Sequence, residues 1–193
     1  MNTRILNGLP FVKYHGLGND YMVVDADALA AVGADSDVVK QACDRHYGPG
    51  ADGVLIDHGL AAGGAVRVSI VNPDGSRAEK SGNGLRIFAR YLFDQGRVEE
   101  EKPFAILTDA GVVQARLHAN SGEVTVEMGQ ASFDAAVVPV SGFTGDVVEA
   151  ELDVEGESVL FTAVTVGNPH CVVFGEATRV KALRLGPLLE RFP

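Results

Sequence analysis

Between residues 72 and 93 the chain sets a turn, a glycine-rich corner and an unusually apolar helix in immediate succession, and no other stretch limits the fold as much. Leu85, Phe88, Ala89 and Leu92 fall at i, i+3, i+4 and i+7. Ile87, Tyr91 and Phe93 widen that surface until only the Arg86 and Arg90 row is plainly polar. A helix apolar nearly all round has to be buried, and strands on both sides of it in the sequence predict that sheet surrounds it. Its N-terminus is Ser81, Gly82, Asn83 and Gly84. Two readings fit. Ser81 is an ordinary N-cap in a tight corner, or the free N–H groups and the positive end of the dipole receive a carboxylate or phosphate.

The strands come from alternation and turn chemistry. Phe11 to His15 and Tyr21 to Asp25 read as a hairpin whose polar tip runs from Gly16 to Asp20. There Asn19 and Asp20 either close the turn or face a ligand. Asp35 and Ser36 can cap a helix on which Val38, Val39, Ala42, Cys43 and His46 share a face, stopped by Gly48 and Pro49. That face makes Cys43 a core residue. The Cys43 and His46 spacing could serve a metal, but no second pair completes four ligands, so no metal is expected. Gly48 to Gly53 matches the spacing of the dinucleotide fingerprint, which needs a strand before it and a helix after it. Here the order is reversed, and the glycines read as a helix-to-strand loop.

Val66, Val68 and Ile70 form a strand that runs into the turn from Asn72 to Gly75, with Arg77 to Lys80 as a short partner. After the helix, residues 104–108, 112–118 and 124–128 read as an antiparallel meander. The strand run stops between Gly129 and Asp134, which divides the chain into a first lobe, 1–130, and a second, 131–193. The second lobe opens with Ala136 to Val140 and has strands near 147–153, 158–166 and 171–174. A weakly helical tail from Val180 to Arg191 follows, with a break at Gly186 and Pro187. Such a lobe looks unfinished, and the native protein is expected to continue past Pro193.

The formal charge of −10, from 26 acidic against 16 basic residues, argues against nucleic acid or an anionic membrane as partner. No apolar run reaches membrane-spanning length, and Met1 to Gly8 lack the apolar core of a signal peptide. Two cysteines, Cys43 and Cys171, cannot build a disulfide framework, so a reducing cytoplasm is the expected compartment.

Four segments now stand in one order: Lys13 to Asp20, Arg45 to Gly53, Asn72 to Arg90, and Gly167 to His170. Together with Leu185 to Glu190 they cover nearly the whole chain and resemble the diaminopimelate epimerase family. The resemblance implies an α+β fold of two similar lobes, each a curled, mostly antiparallel sheet around a central helix. It also implies cofactor-independent inversion of an amino-acid α-carbon, LL- to meso-diaminopimelate in lysine biosynthesis. Asn19, Asn72 and Asn168 would contact the substrate's polar groups, and the backbone at Gly82 and Asn83 would receive its α-carboxylate. The partner expected is this small amino acid, with a homodimer left open.

Epimerisation removes a proton from one face of the carbon and returns another to the opposite face, so two acid/base groups must flank it. In the family both are cysteines. The first falls at Ser81, and the second, with a glutamate and an arginine, would lie beyond Pro193; His170 matches a helper histidine. A serine hydroxyl forms no appreciable anion near neutrality without a partner base. Three outcomes stay open: an epimerase or racemase run by Ser81 and His170 or by His170 itself, a single-base isomerase or lyase, and an amino-acid binder without turnover. Cys171, next to His170 in an extended segment, should point to the opposite face.

Overall fold

The computed structural model describes residues 8–33 and 36–192, so the expected cap at Asp35 lies outside the described residues. The chain divides into two compact units, Met1–Met128 and Gly129–Pro193.

The first unit begins with the hairpin of β1 (Phe11–Gly16) and β2 (Asn19–Asp25). Its turn is only Leu17 and Gly18, both at positive φ, which suits the twist of a two-residue hairpin. Asn19 therefore pairs with Gly16 as the first residue of a strand and does not sit at a loop tip. Two short helices follow, α1 (Ala26–Ala31), capped by Asp25 and not foreseen in the sequence, and α2 (Ser36–Cys43). Then come β3 (Val54–Leu60), β4 (Val66–Val71), β5 (Arg77–Ala78) and α3 (Gly82–Asp94). The meander of β6 (Phe104–Thr108), β7 (Gly111–Leu117) and β8 (Val124–Val126) closes the unit.

The strands form one sheet in the order β1-β2-β3-β4-β6-β7-β8, with β5 beside β4. Two neighbours are parallel, β2 with β3 and β4 with β6. Parallel pairs need a crossover, and the two crossovers lie on opposite faces of the sheet. Met22 and Val24 face outward into a cluster with Val39, Ala42 and Cys43 of α2. Tyr21 and Val23, alternate on the same strand, face inward to Leu85, Phe88, Ala89 and Leu92 of α3. Both edge strands, β1 and β8, also pack on α3, so the sheet curls around this helix. Leu85, Phe88, Ala89 and Leu92 are fully buried. At the far end of α3 the Arg97 N–H bonds back to the Leu92 carbonyl at 2.9 Å. The Arg97 guanidinium then pairs with the buried Asp57 carboxylate of β3.

One sequence expectation is corrected here. α2 stops at Cys43, and His46 is exposed in the following turn instead of continuing the buried face. The cause is Asp44, whose carboxylate accepts the N–H groups of His46 and Tyr47 at 2.7 and 2.8 Å. Gly50 and Ala51 donate to the freed carbonyls of Ala42 and Cys43. Cys43 itself is buried, as its helix face predicts, and burial pushes its thiol up to about 11.

The second unit holds a three-stranded antiparallel sheet, β9 (Ala150–Val154), β10 (Glu157–Thr165) and β11 (Pro169–Val173), with β10 in the middle. Phe161 and Ala163 of β10 pack with Ala135, Val138 and Val147. The segment from Ala136 to Val140, expected to begin the lobe's strand series, forms turns, because the N–H groups of Val137 and Val138 both bond the Asp134 carbonyl at 2.9 Å. The expected break at Gly186 and Pro187 is absent as well. α4 (Arg179–Glu190), capped by Thr178, runs through it. Pro187 offers no N–H to the Leu183 carbonyl four residues earlier, and Leu183 is exposed, so water can satisfy that carbonyl. No helix among the described residues is long and apolar enough to cross a membrane.

Candidate active site

The first turn of α3 is built by its cap. Ser81 has extended backbone angles, and its Oγ accepts the Gly84 N–H at 3.1 Å. A Cβ on Gly84 would come within 3.2 Å of both Leu55 Cδ2 and Ser81 Oγ, so glycine there lets the turn lie directly on β3. At Gly82 an added Cβ would meet the Met128 side chain at an ordinary 3.9 Å. Among the described residues no protein acceptor reaches the N–H groups of Gly82 and Asn83. Two free donors at the positive end of a buried helix can stabilise a carboxylate.

Ser81 has a second neighbour that sequence reasoning missed. The Tyr21 hydroxyl lies 3.4 Å from Ser81 Oγ, and the ring is buried. Gly53 makes room for it. A Cβ on Gly53 would fall 2.6 Å from Tyr21 Cε1 and 2.8 Å from the Val71 carbonyl oxygen. Nothing local in the sequence links residues 21, 53 and 81; the parallel pairing of β2 with β3 sets 21 beside 53, and the packing of α3 on that sheet brings 81 to them.

Asn19 and Asn83 meet directly, Asn83 Nδ2 donating to Asn19 Oδ1 at 3.3 Å. Asn19 Nδ2 donates to Asp52 Oδ2 at 3.1 Å, and Arg86 donates to Asn83 Oδ1. Asn72 stands apart in the β4–β5 turn, where its Nδ2 donates to Ser76 Oγ at 3.0 Å and its backbone closes the turn with Gly75 and Ser76. In the second unit Asn168 is half-buried in the bend before β11, and His170 is exposed on that strand opposite Val164. Cys171 follows it opposite Ala163, so the two side chains alternate in direction as an extended strand requires.

Beside Asn19 lies a cluster of charges. Arg45 forks onto Asp20 at 2.6 and 3.2 Å and reaches Asp52 Oδ1 at 2.7 Å, while Lys13 Nζ lies 2.9 Å from Asp20. Arg45 above all, then Lys13 and Asp52, holds the Asp20 carboxyl well below the usual carboxylate range. A carboxyl depressed on folding stabilises the fold at every pH above its unfolded value, about 3.9. That stabilisation is lost as pH falls from there through the folded value. Asp20→Asn is therefore expected to lower stability at pH 7 and to flatten its dependence on pH below 4, checked by urea titration at pH 7, 4 and 3. An unchanged acid slope would mean that Asp20 does not carry it.

The chain matches the family model described as diaminopimelate epimerase over residues 11–134. It is 40% identical over 186 residues to diaminopimelate epimerase 2 of Nostoc sp., covering 96% of this chain and 65% of that protein. It is 37% identical over 189 residues to the diaminopimelate epimerase of Methanothermobacter thermautotrophicus, covering 95% of this chain and 66% of that one. The chain thus spans about two thirds of the length of these relatives. Among solved structures, a probable proline racemase from Agrobacterium radiobacter superposes with a TM-score of 0.62 at 16% identity, over 91% of this chain and 56% of that one. A hydroxyproline epimerase from Agrobacterium vitis gives 0.59 at 17% identity, over 91% and 55%. At that identity the likeness is one of fold.

Proposed function

The chain belongs to the diaminopimelate epimerase family, and from that premise we propose that it moves a proton at the α-carbon of an amino acid without a cofactor, converting LL- to meso-diaminopimelate. The observation that carries the reading is the open first turn of α3, where the N–H groups of Gly82 and Asn83 have no protein acceptor among the described residues. An α-proton leaves as H⁺ to a base, and the electron pair left on carbon spreads into the adjoining carboxylate. Donors already aimed at that carboxylate stabilise the added charge without reorganising. A proton delivered from the opposite face completes the inversion.

We assign the proton-transfer side chains of this chain to Ser81 and His170. An aliphatic hydroxyl is too weak an acid to work alone near neutrality, so we give the larger part of the proton transfer to the imidazole, a side-chain type that changes charge in that range. Asn19, Asn72 and Asn168 supply the amides that recognise one stereocentre, since each offers donors and acceptors in a fixed plane. With this reading go a small zwitterionic substrate and a cytoplasmic setting.

The test is deuterium incorporation at the α-carbon of diaminopimelate, followed by NMR in D₂O. The full chain is expected to exchange the proton, and His170→Ala to slow it by about 10² or more, the usual contribution of a positioned acid/base group. Binding without any exchange would sink the epimerase reading in favour of an amino-acid-binding protein.

A further inference from the structure

The row Asp52, Asn19, Asn83, Arg86 carries a fixed charge at each end, and the charges decide which way each amide faces. Asp52 is accept-only. Its Oδ1 takes Arg45 at 2.7 Å, and its Oδ2 takes both the Asp20 N–H at 3.2 Å and Asn19 Nδ2 at 3.1 Å. Arg86 is donate-only, and it donates to Asn83 Oδ1 from one helical turn along α3. Between them the two amides share one hydrogen bond, Asn83 Nδ2 to Asn19 Oδ1 at 3.3 Å.

An isolated pair of amides is symmetric in this respect. Flipping both side chains by half a turn would exchange donor for acceptor and restore the same single bond between them. In this row the flip would set the Asn19 oxygen against the Asp52 carboxylate and the Asn83 amino group against the Arg86 guanidinium. Each is a like-charge or like-dipole contact replacing a charge-assisted hydrogen bond. Only one direction survives, with each amino group on the Asp52 side of its amide and each oxygen on the Arg86 side. Each amide still keeps one N–H and one lone pair beyond the row. A ligand therefore meets one donor and acceptor pattern, which discrimination between mirror-related groups requires.

We propose that Asp52 and Arg86 are positioning residues that set the polarity of the Asn19 and Asn83 amides from the two ends of the row, on the reading that the Asn19 amide binds substrate. Neither residue has to touch the substrate. The loop from Gly48 to Gly53 acquires a role on this view, since it holds Asp52 between Arg45 and Asn19.

Side-chain amide NMR of the full chain, in the ¹⁵N-labelled protein, reads the polarity directly. Asp52→Asn is expected to shift the Asn83 amide as well as that of Asn19, and Arg86→Met to shift the Asn19 amide as well as that of Asn83. Each variant should bind diaminopimelate about tenfold more weakly, the size of one net hydrogen bond. Shifts confined to the nearest amide in both variants would overturn the proposal, because a structural contact moves only its neighbour. Should Asp52→Asn lose the fold through its bond to Arg45, Arg86→Met carries the same test from the other end. A native chain that binds no diaminopimelate but shows both transmitted shifts would refute the functional reading and leave the poled row standing.

Discussion

Ser81→Cys is expected to raise the rate of α-proton exchange into diaminopimelate by about 10³, within the range that a positioned acid/base group contributes. The free thiol ionises near pH 8.5, and a helix N-terminus lowers that further, so a useful fraction is thiolate at neutral pH. The hydroxyl offers no comparable anion. Oγ already lies at the cap of α3, 3.1 Å from the Gly84 N–H and 3.4 Å from the Tyr21 hydroxyl, so a sulfur enters a place of donors.

The same change should weaken the fold, because sulfur is a poorer N-cap acceptor than oxygen, by about 1 kcal/mol. Activity and stability are thus expected to move in opposite directions, which separates a chemical effect from a general improvement in folding. Exchange measured in D₂O and a urea titration of the same two proteins check both signs. An unchanged rate in a variant that still binds the amino acid would show that position 81 takes no part in proton transfer.

Phe88→Ala is expected to cost about 3–5 kcal/mol, a large share of the roughly 5–15 kcal/mol by which domains are stable. Phe88 is fully buried, stacks on Tyr91 with ring centroids 5.9 Å apart, and belongs to the cluster that joins α3 to the curled sheet. Removing the ring leaves a cavity that strands on several sides cannot all close. In urea the midpoint should fall by about 2 M for a slope of about 2 kcal/mol/M. Phe11→Ala, at a side chain 44% exposed, serves as the comparison and should change little. A loss below about 1 kcal/mol at Phe88 would mean that α3 is not the element around which the first unit is packed.

The two expectations differ in how far they could be read from the order of residues. Phe88 was legible because helical spacing places it with Leu85 and Leu92, and a helix with so little polar surface has nowhere to go but inside. Ser81 was legible as a cap, and as a departure at the position where relatives are expected to carry a thiol. The Tyr21 hydroxyl beside it was not. Residues 21 and 53 become neighbours because β2 and β3 pair in parallel, and Ser81 reaches them because α3 packs on that sheet. Local pattern is silent about such pairing, since the crossover returns the chain to a strand far back in the sequence.

The same division runs through the charges. In the sequence Asp20 either closes a turn or faces a ligand, and Asp52 lies in a helix-to-strand loop, where such polar types are common. The structure instead gives Asp20 the fork of Arg45 and gives Asp52 the amide of Asn19. Hydrogen bonds between residues about 30 apart leave no periodicity to find. Asp44 shows the reverse case, a short-range effect hidden by a stronger pattern. The apolar spacing carried α2 on to His46, while the Asp44 carboxylate took the N–H groups that follow and ended the helix at Cys43.

By itself the sequence determined the buried helix, its capped and glycine-lined N-terminus, the strands of the first unit and the resemblance that the family match bears out. These follow from spacing, cap chemistry and turn residues, which act within a few positions of one another. Only the tertiary structure decided the parallel pairings and the hydrogen-bonded row from Asp52 to Arg86. Those depend on which distant groups are forced together when apolar faces leave water, and a buried polar atom must then bond whatever partner the packing brings.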